Sequence, residues 1–142
     1  MTESVLLVDD EVEFLDIMAE RMRARDMEVT TSTSASEALS LIATESYDAV
    51  VMDFQMPEMD GIQALKAIKE KKPEMQIILL TGHATVQKGV EAMKAGAIDV
   101  VEKPADLDAL SDKIKEAHSQ KAVIVQKQSQ NKVIEMLKKY GM

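Results

Sequence analysis

The chain has 142 residues, enough for one domain of ordinary size with a real core, and its 46% hydrophobic and 30% charged residues are a globular balance. A net charge of −8 argues against a direct nucleic-acid binder, and the absence of cysteine removes disulfides and thiolate metal sites. No signal-peptide pattern opens the chain, and no run approaches the roughly 20 apolar residues of a membrane span, so the expectation is a cytoplasmic protein without membrane insertion.

Ser4-Val5-Leu6-Leu7-Val8 is a short, continuously apolar strand closed by Asp9-Asp10-Glu11. A helix follows to about Arg25, with Val12, Leu15, Met18 and Met22 along one face. Met27 to Thr31 alternates and predicts a strand near the sheet edge. Ser34 to Glu37 fits a capping box that starts a helix burying Ala38, Leu41 and Ile42. Tyr47 to Asp53 carries the central strand, apolar up to its final carboxylate.

The loop Gln55 to Gly61, punctuated by Pro57 and Gly61, leads to a helix with Ile62, Leu65 and Ile68 on its apolar face, ended by Lys71-Lys72-Pro73. Gln76 to Thr81 is the fourth strand. Val86, Val90 and Met93 mark the next helix, which Gly96 terminates. Asp99 to Pro104 is the fifth strand and its exit, and Leu107, Leu110, Ile114 and Ala117 form a last amphipathic helix. Five strands alternating with five helices require parallel pairing and right-handed crossovers, which gives an α/β three-layer doubly wound sandwich.

In such sheets chemistry gathers at the carboxyl ends of the strands. Two adjacent carboxylates, Asp9 and Asp10, repel each other unless both are solvated or a cation lies between them and a third acid. Asp53, on a strand expected beside the first, is that third acid. One of the pair can instead cap the following helix, but a cap does not account for all three. Oxygen-only ligands with room for water suit Mg²⁺. Lys103, ending the fifth strand, can neutralise Asp53 or a phosphoryl group on it. The Thr81 hydroxyl can donate to another phosphoryl oxygen, with Gly82 keeping the approach open.

Val8-Asp9-Asp10-Glu11, Met52-Asp53 with Met56-Pro57-Glu58-Met59-Asp60-Gly61, Thr81-Gly82, and Ala95-Gly96-Ala97 running on to Lys103-Pro104 resemble the receiver domain of two-component response regulators over about residues 3–118. The resemblance implies a flavodoxin-like (βα)5 fold with strand order 2-1-3-4-5. It also implies that Asp53 accepts a phosphoryl group from a sensor histidine kinase. Asp10, Asp53 and the Gln55 backbone carbonyl would bind Mg²⁺, Asp9 would hold metal-bound water, and Thr81 and Lys103 would contact the phosphoryl group. The Lys103-Pro104 bond would be cis. Gln55 and His83, two residues past Asp53 and Thr81, would flank the path of attacking water and tune the lifetime of the mark. Two positions depart from the family pattern: Val100 stands where receivers usually carry Tyr or Phe, and Ala105 where many carry Phe.

This assigns residues 1–118 to a receiver and 119–142 to a helical extension or tail. The tail holds five lysines and one glutamate, a net of +4 that leaves residues 1–118 at −12. Its apolar set, Val123, Ile124, Val133, Ile134, Leu137 and Tyr140, permits a helix interrupted by the polar stretch Gln126 to Lys132. It either packs loosely as a prolonged last helix or forms a dimer or partner contact. Met56 and Met59 are candidates for an exposed, adaptable docking surface.

The leading functional expectation is a phosphorylation-controlled switch that is not itself an enzyme. A sensor kinase acts on it, and an unknown downstream protein or output domain, or a second copy through the 84–117 face or the tail, responds. The alternatives are a receiver fragment of a larger transcriptional regulator, an aspartyl-phosphate phosphatase, and a scaffold that never switches. Such phosphatases usually carry a second acid where this chain has Gln55.

Overall fold

The computed structural model describes residues 2–104 and 106–139. Strands and helices alternate as β1 (Ser4–Val8), α1 (Val12–Arg23), β2 (Glu28–Ser32), α2 (Ala35–Thr44), β3 (Ala49–Asp53), α3 (Gly61–Lys71), β4 (Ile77–Thr81), α4 (Val86–Ala95), β5 (Asp99–Glu102) and α5 (Leu107–Lys139). All pairings are parallel, in the order β2-β1-β3-β4-β5. The flavodoxin-like doubly wound fold is therefore observed, with the weakly patterned β2 at one edge.

Strand geometry sends alternate side chains to opposite faces, and here both faces are covered. Leu6, Val8, Val50, Met52, Ile77 and Leu79 point to the side packed by α2, α3 and α4. Val5, Leu7, Val51, Ile78 and Leu80 point to the side packed by α1 and α5. That double burial is why β1, β3 and β4 are apolar without alternation.

Local signals set the helix ends. Asp60 and Gln63 form a reciprocal capping box on α3, whereas Ser34 caps α2 by accepting from the Glu37 backbone N–H at 3.1 Å. Gly96 closes α4 at φ 109°, a left-handed conformation that favours glycine.

Several expected contacts differ. Val12, at the first position of α1, is 54% exposed, and the helix buries Leu15, Met18, Ala19 and Met22 instead. On α4 only Ala92 is buried, so Val86, Val90 and Met93 form an exposed apolar stripe. Met56 is buried in the core and Met59 is half-buried against it, which removes both from an exposed docking surface. The polar stretch Gln126 to Lys132 does not interrupt α5, which runs unbroken to Lys139. Its glutamines and two lysines are good helix formers and no Gly or Pro intervenes, so polarity alone does not break it.

The base of the α5 extension is tied to the body. The Lys121 ammonium donates to Ser46 Oγ at 2.7 Å and to the Tyr47 carbonyl at 2.8 Å, and His118 Nδ1 lies 2.7 Å from Asp48 Oδ1. From Val125 to Lys139 every residue is exposed. Tyr140 and Ala105 lie outside the described residues.

Candidate functional site

Parallel strands deliver their carboxyl ends to one edge, and register sets which residues meet there. Val8 pairs with Met52, so Asp9, just past β1, lies level with Asp53, the last residue of β3. Thr81 pairs with Glu102, and the Lys103 backbone N–H donates to the Thr81 carbonyl at 2.7 Å. The Lys103-Pro104 peptide is cis, as the resemblance implied.

The structure brings the predicted residues together around a cleft of about 410 Å³ whose walls include Asp10, Asp53, Gln55, Thr81 and Lys103. Asp9 is fully buried beneath it. One Asp9 oxygen accepts from the Lys103 ammonium at 2.6 Å, and the other accepts from the Glu11 backbone N–H at 2.9 Å. Lys103 Nζ also lies 3.7 Å from Asp53 and 3.8 Å from Glu11, and stands 4.4 Å over the Phe14 ring. Asp10 and Gln55 are exposed.

Burial pushes the Asp53 carboxyl up to about 6. Repulsion from Asp9 and, more weakly, Asp10 adds to that rise, while Lys103 and the Gln55 backbone hydrogen bond oppose it. Burial also pulls the Lys103 ammonium down, but its hydrogen bond to Asp9 and the charges of Asp53, Asp9 and Glu11 outweigh it and hold its pKa above the ordinary value. Lys103 is thus firmly cationic, and Asp53 is a strained anion at neutral pH.

The residues present fit a small, hard cation. Asp9, Asp10 and Asp53 each offer a carboxylate oxygen, and these lie within 4.8 Å of one another. The donors are oxygens only, and the cleft leaves room for water, the coordination Mg²⁺ prefers.

The loops around this centre are fixed by backbone contacts. A Cβ added at Gly61 would lie 2.9 Å from both the Asp53 carbonyl oxygen and Phe54 Cα. Its own N–H donates to the Phe54 carbonyl at 2.7 Å. Glycine is therefore required for α3 to start this close to the end of β3. On the other side, the Thr81 hydroxyl donates to the His83 carbonyl and accepts from the His83 N–H, both at 3.2 Å. Glu102 holds the same loop by accepting from the Ala84 N–H at 2.7 Å. His83 itself is exposed.

Sequence reasoning missed two side chains here. Phe14 lies under Lys103, and its signal was an aromatic ring in the first turn of α1, just after the acidic run Asp9-Asp10-Glu11. Lys88 reaches back from α4 to Thr81 and His83. Its signal was a lysine three residues after the Thr85 cap, where a capping box favours Glu or Gln.

The response regulator receiver domain family model matches residues 5–115. The chain belongs to that family, the receiver domain of two-component response regulators. It is 37% identical over 113 residues to the transcriptional regulatory protein ZraR of Salmonella typhimurium, covering 80% of this chain and 26% of that protein. Against the regulatory protein AtoC of Escherichia coli it is 39% identical over 107 residues, covering 75% of this chain and 23% of that one. The chain thus spans about a quarter of the length of these curated relatives.

Solved receiver domains superpose well. A receiver domain protein from Clostridium thermocellum gives a TM-score of 0.81 at 32% identity, covering 86% of this chain and 98% of that one. The response regulator TrrA of Thermotoga maritima, solved in complex with Mg²⁺-BeF, gives 0.74 at 29% identity, covering 82% and 99%.

Proposed function

We propose that Asp53 is the phosphoacceptor of a signalling switch. An Asp53 carboxylate oxygen attacks the phosphorus of a sensor kinase's phosphohistidine; the new P–O bond forms as the P–N bond breaks, and the imidazole leaves as the donor's own group. The observation that carries this reading is the placement of Asp53 at the mouth of the cleft, 3.7 Å from a lysine ammonium and grouped with two further carboxylates.

In-line phosphoryl transfer requires positioning and charge neutralisation rather than covalent machinery. Asp10, Asp53 and the Gln55 carbonyl would hold Mg²⁺, and Asp9 would hold its water. The ion would supply charge neutralisation for the transfer. Lys103 contributes a fixed positive charge on the same side, already held by Asp9. The Thr81 hydroxyl donates to a phosphoryl oxygen, and Gln55 and His83 flank the approach of hydrolytic water.

The receiver occupies residues 1–118, and 119–142 are its C-terminal helical extension or tail. The exposed apolar stripe Val86, Val90 and Met93 supports an output surface within residues 84–117. That surface, or the exposed face of the extension, meets a downstream protein or a second copy. A second reading, the receiver portion of a larger transcriptional regulator, is supported by ZraR and AtoC, which are about four times the length of the matched region. Both readings share the chemistry at Asp53. The phosphatase alternative is weakened by the exposed amide of Gln55 where such hydrolases carry an acid.

Intact mass after incubation with acetyl phosphate and Mg²⁺ tests the reading. A single phosphoryl adduct, lost with EDTA and in Asp53→Asn, is the expected result. Steady turnover of p-nitrophenyl phosphate with no adduct would overturn it in favour of the phosphatase.

A further inference from the structure

Lys88 occupies the third position of α4, after the Thr85 cap. A cation in the first turn opposes the helix dipole, so this position is unfavourable for lysine on local grounds. Its side chain is half-buried and folds back toward the end of β4. The ammonium donates to the His83 carbonyl at 2.8 Å and to Thr81 Oγ1 at 3.4 Å, and lies 5.5 Å from the centroid of the Phe54 ring. Phe54 directly follows Asp53, so one cation lies against the residue after the acceptor and reaches the Thr81 hydroxyl, whose residue lines the same cleft as Asp53.

The Thr81 proton is committed in this arrangement. It goes to the His83 carbonyl, the same oxygen that receives the Lys88 ammonium. A phosphoryl group on Asp53 is a dianionic acceptor, which a hydroxyl prefers over a neutral carbonyl. Drawing Thr81 toward it breaks the Thr81–His83 bond and removes one of the two oxygens that hold Lys88.

We propose that Lys88 is the positioning residue that ties α4 to Thr81 in the unphosphorylated state and carries the movement of Thr81 into α4. This rests on the assignment of Asp53 as the phosphoacceptor. Apart from the Thr85 cap, the first turn of α4 has little to hold it: Val86 is 86% exposed, and the one buried residue of the helix, Ala92, lies beyond that turn. The Lys88 contacts therefore link the cleft to the start of the exposed Val86–Val90–Met93 stripe. Glu102 holds the intervening Ala84 N–H, a second tether on the loop between Thr81 and α4.

The test is Lys88→Met, which keeps the aliphatic stem and removes the ammonium, beside Lys88→Arg, which retains donors, both in the full chain. Backbone amide spectra are recorded before and after acetyl phosphate and Mg²⁺, and intact mass of the same samples reports the adduct. The parent is expected to shift at Gly82–Ala84 and at Gln87–Ala95. Lys88→Met is expected to form the adduct and keep the Gly82–Ala84 shifts while losing those in α4, and Lys88→Arg to restore them. Adduct formation in Lys88→Met with undiminished α4 shifts would overturn the proposal and leave the phosphoacceptor reading standing. No adduct in the parent would overturn both.

Discussion

At Asp53 burial raises the carboxyl to about 6 from an ordinary value of 3.8, so the folded chain holds that proton more tightly than the unfolded one. The stability this provides is complete below about pH 3.8 and is lost as the pH rises through about 6. In metal-free buffer Asp53→Asn is therefore expected to melt above the parent at pH 7.5, with the difference closing toward pH 4. Thermal melts across that range check it, and a variant that melts below the parent at pH 7.5 contradicts it. Lys103→Met leaves the fully buried Asp9 without its ion partner, and a destabilisation of about 3–5 kcal/mol is expected by urea titration. Gly61→Ala forces a Cβ against the backbone of Asp53 and Phe54, with an expected loss of about 1–3 kcal/mol. The acids, Thr81 and Lys103 were legible in the sequence because each ends or follows an apolar strand. The Gly61 approach was not, since it depends on where α3 meets the sheet, and Lys88 was hidden because its target lies in the preceding loop.

Each element's existence was written in its hydrophobic pattern, whereas its exposed face was less so. The apolar residues Val86, Val90 and Met93 correctly marked α4, yet they face outward, because the small Ala92 makes the contact with the sheet. Periodicity locates a helix but does not say which of two stripes is buried when one consists of alanine. The α5 extension shows the converse: its polar middle suggested an interruption, but helix propensity and the absence of Gly and Pro carried the helix through. Ile114 and Ala117 anchor α5 in the core, while Val125 to Lys139 touch solvent throughout. Ending the chain after Ile124 is accordingly expected to leave the melting temperature of the monomer nearly unchanged. Ile114→Ala is expected to lose about 2–5 kcal/mol in the same assay. A large drop on truncation would mean that the extension stabilises the body.

Over the whole molecule, the parallel sheet gathers side chains distant in sequence at one edge, where three carboxylates meet. The strand order came from the resemblance to receivers, since alternating elements alone fix parallel pairing but not the sequence of strands. Mg²⁺ binding to the folded state alone is expected to raise the melting temperature of the parent, and to raise that of Asp53→Asn less. The most direct test of the central claim is to trap the phosphorylated residue itself. After acetyl phosphate and Mg²⁺, borohydride reduces an aspartyl phosphate to homoserine, and peptide mass spectrometry locates it. The expected result is homoserine at position 53 alone, present with Mg²⁺ and absent with EDTA. Homoserine at position 9 or 10, or none anywhere in a chain that remains folded, would contradict the assignment of Asp53 as the phosphoacceptor.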